Sequence, residues 1–82
     1  MVLHLGCDEF VPLSSIVAVL DAARSPRLLK EVLPDNADGA QIRRIGTDEI
    51  KSVVIVSSGG RRVFFLSPIA AQTLRKRVQS GF

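Results

Sequence analysis

The chain contains no tryptophan, no tyrosine, one cysteine (Cys7) and one histidine (His4), and each shortage removes a class of function. A lone thiol forms no intramolecular disulfide. One thiol and one imidazole are too few for the Cys/His sets that hold structural zinc. Nucleophilic hydrolysis at Ser14, Ser15, Ser57, Ser58 or Cys7 would have to pass through His4, and no Gly-x-Ser-x-Gly elbow is present. The carboxylate pairs Asp8-Glu9 and Asp48-Glu49 are adjacent in sequence. Neighbours on an extended chain point to opposite faces, so neither pair converges as an acid/base dyad, and both read as solvated turn residues. Gly59-Gly60-Arg61-Arg62 has the amides and guanidiniums of an anion nest, but no Walker lysine with Ser/Thr follows it. The expectation is a protein that is not an enzyme and holds no metal or cofactor.

Long hydrophobic runs are also missing: none approaches the length that spans a bilayer. The opening residues Met1 to Gly6 carry no basic n-region and run directly into Cys7, Asp8 and Glu9, unlike a secretory signal. With the single thiol, this predicts a cytoplasmic protein without a membrane partner. Apolar residues make up 46% and charged residues 23% of the 82, a globular balance that fits one domain over 1–82. At this length one core is barely sufficient, and without disulfide or metal the remaining aid is self-association.

Hydrophobic periodicity and turn residues predict an α+β fold: a small, mostly antiparallel sheet with two short helices. Val2 to Leu5 reads as a strand with Leu3 and Leu5 on one face and His4 on the other, followed by a turn at Gly6. Phe10-Val11 reads as a second extended piece. Ile16 to Leu20 reads as a buried strand. Ser25-Pro26 opens a helix carrying Leu28, Leu29, Val32 and Leu33 on one side, ended by Pro34. A turn-rich linker over 35–39 leads to a short extended piece at Gln41 to Ile45. Ser52 to Val56 and Val63 to Leu66 are two strands joined through Gly59-Gly60, which readily take the positive φ of a tight hairpin. Ser67-Pro68 then reads as the N-cap and first position of a second helix running to Gln79. Its basic residues in the last turns suit the negative end of the helix dipole.

Three of these strands are continuously apolar, whereas a sheet with one wet face should alternate, so both faces need cover. Two short helices supply only part of it. The remainder is expected to lie against another copy, as an obligate homo-oligomer.

Charge is unevenly placed. Residues 1–41 hold three basic and six acidic groups and 42–82 hold eight basic and two acidic, giving −3 and +6. This asymmetry fits a polyanion ligand, and equally fits subunits that meet first half to second half. The candidate phosphate-binding residues are Arg43, Arg44, Lys51, Arg61 and Arg62, because guanidinium forks engage phosphate oxygens bidentately. The alternative, which fits the same charges equally well, is solvated edge groups that discourage strand aggregation. Single-strand readout is disfavoured, since Phe64 and Phe65 fall inside an apolar strand. For duplex DNA, affinity would come from repeating one basic patch around an oligomer.

Leu3-His4-Leu5-Gly6, Ile16 to Asp21, Lys51 to Val56 and Phe65-Leu66-Ser67-Pro68-Ile69 through Thr73-Leu74-Arg75-Lys76-Arg77 together resemble the RemA/RemB family of small bacterial extracellular-matrix (biofilm) regulatory proteins. The likeness is closest to the RemB branch and runs from Val2 to about Gln79. It implies a ring-shaped homo-oligomer that binds DNA and regulates transcription of biofilm matrix genes. A scaffold ring acting through a RemA-like protein partner, without DNA, is the alternative. Where the family has an arginine-rich run before the central apolar strand, this chain reads Gly46-Thr47-Asp48-Glu49-Ile50-Lys51. Lys51 alone keeps a matching charge there.

Overall fold

Residues 1–24, 27, 41–47 and 49–79 are described in a computed structural model of the chain. The predicted helix from Ser25 to Leu33 and the 35–39 linker lie outside them, apart from Arg27. Strand β1 (Val2–Gly6) pairs antiparallel with β2 (Glu9–Pro12) as a two-stranded sheet. A four-stranded sheet has the order β3-β5-β6-β4, with β3 (Ile16–Asp21), β4 (Gln41–Arg44), β5 (Ser52–Ser58) and β6 (Arg61–Ser67). Helix α1 (Ala71–Gln79) packs against β1 and β3. The architecture is α+β with mostly antiparallel pairing; among the described strands β4 alone runs parallel to its neighbour, β6.

Turn chemistry explains both hairpins. Gly59 and Gly60, at φ +58° and +80°, make the two-residue link between Ser58 and Arg61, where paired left-handed residues match the twist of the strands. A Cβ at Gly59 would meet nothing within 4 Å, and asparagine tolerates this conformation. The left-handed strain of a side chain here offsets the reduced freedom of the unfolded chain, so Gly59→Asn is expected to stay within about 1 kcal/mol of wild type, whereas Gly59→Val, branched at Cβ, is expected to lose about 1–2 kcal/mol. Denaturant titration compares the two; equal stability of both variants would mean that the turn is not left-handed at this position. In the first hairpin Gly6, at φ +112°, ends β1, and the turn that follows falls on Cys7 and Asp8, at φ +46° and +62°.

Alternation along the strands divides the core in two. One face of the four-stranded sheet buries Val54, Val56 and Phe65 against Leu3, Leu5, Val11, Ile45 and Leu74. The other groups Val53, Phe64 and Leu66 with Ala22. Val53 and Val54 are each 0% exposed, so the unbroken apolar run of β5 is covered on both faces within a single chain. Apolar strand surface left for a second copy to cover is therefore concentrated at β3. That strand lies at a sheet edge and is only partly buried, with Val17 59% exposed, where the sequence pattern predicted burial.

Ser67 also differs from its predicted role as a helix cap. It ends β6, where its carbonyl accepts from the Lys51 amide (2.9 Å). Its fully buried hydroxyl donates to the Leu5 carbonyl (2.7 Å) and accepts from the Ile69 amide (3.1 Å). The helix begins four residues later, and its first turn is closed by Leu74 N–H donating to the Ala70 carbonyl. Ser52, beside Ser67 in the ladder, donates to the Ile69 carbonyl (2.7 Å). The two serines thus fasten β1 and the approach to α1 onto the sheet.

Candidate nucleic-acid interface

The parallel pairing of β4 with β6 brings most of the predicted basic residues to one margin of the sheet. Arg43 lies beside Phe65 and Arg44 beside Leu66. Arg61 and Arg62 begin β6, opposite Ser58 and Ser57. At a rise of about 3.3 Å per residue, Arg62 is three positions, or roughly 10 Å, along β6 from the Arg43 row. All four are exposed. Because β4 is an edge strand, its side chains on both faces can be reached from one side.

The four do not share a face. Cross-strand partners point the same way, so Arg43 and Arg61 belong to the face of Val54 and Phe65, and Arg44 and Arg62 to the face of Val53 and Leu66. They straddle the margin in pairs. Lys51 stands apart: it directly precedes β5, at the end opposite the Gly59-Gly60 turn, and its carbonyl accepts from the Ala22 and Ala23 amides (3.1 and 3.2 Å). Its side chain is exposed, two strands across from β4. Glu49 is exposed as well, and Asp48 lies outside the described residues.

The basic residues differ in what holds them. Arg43 Nη1 is 3.3 Å from Glu9 Oε1 at the start of β2, and its guanidinium carbon is 5.9 Å from the Phe65 ring centroid. Arg44 also has an interaction partner. The Arg61, Arg62 and Lys51 side chains make no hydrogen bond or ion pair among the described residues. At the hairpin end Arg61 and Arg62 therefore present two charges with no counter-ion among the described residues, an arrangement in which a guanidinium can take a phosphate without giving up a described contact.

Sequence reasoning missed the work of three charged residues. Arg75 donates to the Val19 carbonyl (3.0 Å) and Arg77 to the His4 carbonyl (3.1 Å). Arg75 and Arg77 are two apart on α1 and so reach opposite sides of the helix, one towards β3 and one towards β1. The predicted dipole role thus accounts for only part of their placement. Glu9 was read as a solvated turn residue; it begins β2 and faces Arg43. No local signal announces these contacts, which span 34 to 73 positions of sequence.

Beside Arg77, a groove of about 310 Å³ is lined by Val2, Leu3, His4 and Phe10, with the His4 and Phe10 rings stacked at 4.8 Å. His4 thus sits against an aromatic ring. Among the described residues, no three His, Cys, Asp or Glu side chains gather as a metal site, and no helix is long and apolar enough to cross a membrane. Comparison with protein-family models, with curated proteins and with solved structures gives no match to this chain.

Proposed function

We propose that the chain is a duplex-DNA-binding regulator of the RemA/RemB type that works as a homo-oligomer, gripping the phosphate backbone with the β4 margin and the β5–β6 hairpin end. The observation that carries this reading is the pair Arg61 and Arg62, exposed and without a counter-ion among the described residues, with Arg43 and Arg44 roughly 10 Å along the same margin. Contacts of this kind position a protein on DNA without reading bases. One subunit offers few of them, so repetition in an oligomer supplies the affinity. Lys51 extends the positive surface at the other end of the sheet.

The Arg61→Ala/Arg62→Ala double variant is expected to weaken binding of a mixed-sequence duplex on the order of 10-fold and to lower the slope of log K against log salt by about 2. Fluorescence anisotropy across a salt series measures both, with light scattering confirming an unchanged oligomer. Unaltered affinity and slope would remove the hairpin end from the interface.

A second reading, a scaffold that regulates through a protein partner, draws on different features. Val17 is 59% exposed on the open edge of β3, and Phe10 and Val2 are 56% and 50% exposed beside the Arg77 groove. Exposed apolar groups on an edge strand favour protein contacts. A large assembly that ignores duplex at low salt would select this reading.

A further inference from the structure

Glu9 and Arg43 come from different sheets, yet the ion pair at 3.3 Å joins them. Arg43 is held on two sides at once: by the Glu9 carboxylate, and by the Phe65 ring, 6% exposed in the core beneath it. Both restraints leave the guanidinium accessible, since the Arg43 side chain is 52% exposed and that of Glu9 30%. A carboxylate and a phosphate diester compete for the same planar donor fork. An exposed ion pair of this kind is weak, so a dense polyanion can displace it. Arg61 and Arg62 have no such competitor among the described residues.

We infer that Glu9 is an affinity-setting residue: its carboxylate acts as an internal stand-in for phosphate, holding Arg43 over Phe65 until a polyanion displaces it. This rests on the polyanion-binding reading of the β4 margin and adds to it an internal competitor for one of its four arginines. The charge of Arg43 then counts towards binding only after the Glu9 contact is given up. The affinity of the wild-type chain is correspondingly lower than its arginines alone would supply. Glu9→Gln keeps the side-chain length and removes the competing charge.

The test compares wild type, Glu9→Gln, Arg43→Ala and the Glu9→Gln/Arg43→Ala double variant in binding a mixed-sequence duplex and in the salt needed for elution from heparin. Unfolding midpoints serve as the check on the fold. Glu9→Gln is expected to tighten duplex binding several-fold, about 3- to 10-fold, and to raise the elution salt. In the Arg43→Ala background the same change should give less than half that gain. An equal gain in both backgrounds would mean that Glu9 acts only through net charge, and would overturn the inference. So would unchanged binding by Glu9→Gln when wild type does bind duplex, an outcome that leaves the DNA reading standing. If wild type ignores duplex but Glu9→Gln raises heparin elution through Arg43, the DNA reading fails and the inference holds. Wild type that binds neither polyanion would end both.

Discussion

Leu74→Ala is expected to lower the unfolding free energy by about 3 kcal/mol, within the 2–5 kcal/mol found for removing a buried leucine side chain. Leu74 is 0% exposed and lies in the larger core with Leu3, Leu5, Val11, Val54, Val56 and Phe65. It joins elements far apart in the chain: both strands of the first hairpin, the centre of the four-stranded sheet and the helix itself. Ala71 is the other buried residue of α1, so the truncation removes the main apolar anchor of the helix. Nine residues are too few to hold a helix in water without docking. A cavity left at Leu74 therefore threatens the helix and, through Arg75 and Arg77, its links to β3 and β1. For a domain of this size the loss corresponds to a fall in Tm on the order of 15 °C. Urea titrations at one fixed protein concentration measure it, because self-association would make the midpoint concentration-dependent. A loss below about 1 kcal/mol would show that α1 is not held through Leu74.

Ser67→Ala is expected to cost about 2–3 kcal/mol, a large effect for the removal of one oxygen. The register of the first hairpin shifts between His4 and Gly6, leaving Leu5 without a partner residue in β2. The Leu5 carbonyl accepts the Ser67 hydroxyl hydrogen instead, and that hydroxyl also accepts from the Ile69 amide. Removing it takes the partner from a buried carbonyl and an amide together, and an unsatisfied buried polar group costs about 1–3 kcal/mol. Ser52→Ala, which removes a single bond to the Ile69 carbonyl, provides the comparison and should cost about half as much. Equal losses for the two variants would mean that the Leu5 bond contributes little.

Local signals in the sequence were sufficient for most of the elements. Alternation at Leu3, His4 and Leu5 predicts both β1 and its inward face, and Gly59-Gly60 marks the hairpin whose turn has two positive φ angles. The apolar runs at β3, β5 and β6 were legible as strands, and Gln41 to Ile45 as an extended piece that proves to contain β4. Burial was less legible. A continuous apolar run states that both faces avoid water, but not whether the same chain provides the cover. For β5 it does; for β3, Val17 remains exposed.

The candidate interface divides along the same line. Arg43, Arg44, Lys51, Arg61 and Arg62 stand out by residue type and by the +6 charge of residues 42–82, since charge needs no fold to be counted. Their arrangement depends on β4 entering the sheet parallel to β6, which sets four arginines on one margin and leaves Lys51 two strands away. Strand order is a non-local choice, made by the burial of Val53, Val54, Phe64 and Phe65 against partners tens of residues distant.

Two further assignments show why tertiary contact overrides local preference. Ser67-Pro68 has the form of a helix start, yet the Ser67 hydroxyl is claimed by a carbonyl 62 residues earlier and the helix begins at Ala71. Glu9 reads as a solvated turn residue, yet the pairing of β2 carries it to Arg43. Residue type and spacing establish what each segment can form, through backbone sterics and hydrophobic period. Which donor meets which acceptor is settled when the sheets and α1 close on one core, because a buried polar group must then take whatever partner the packing brings within reach.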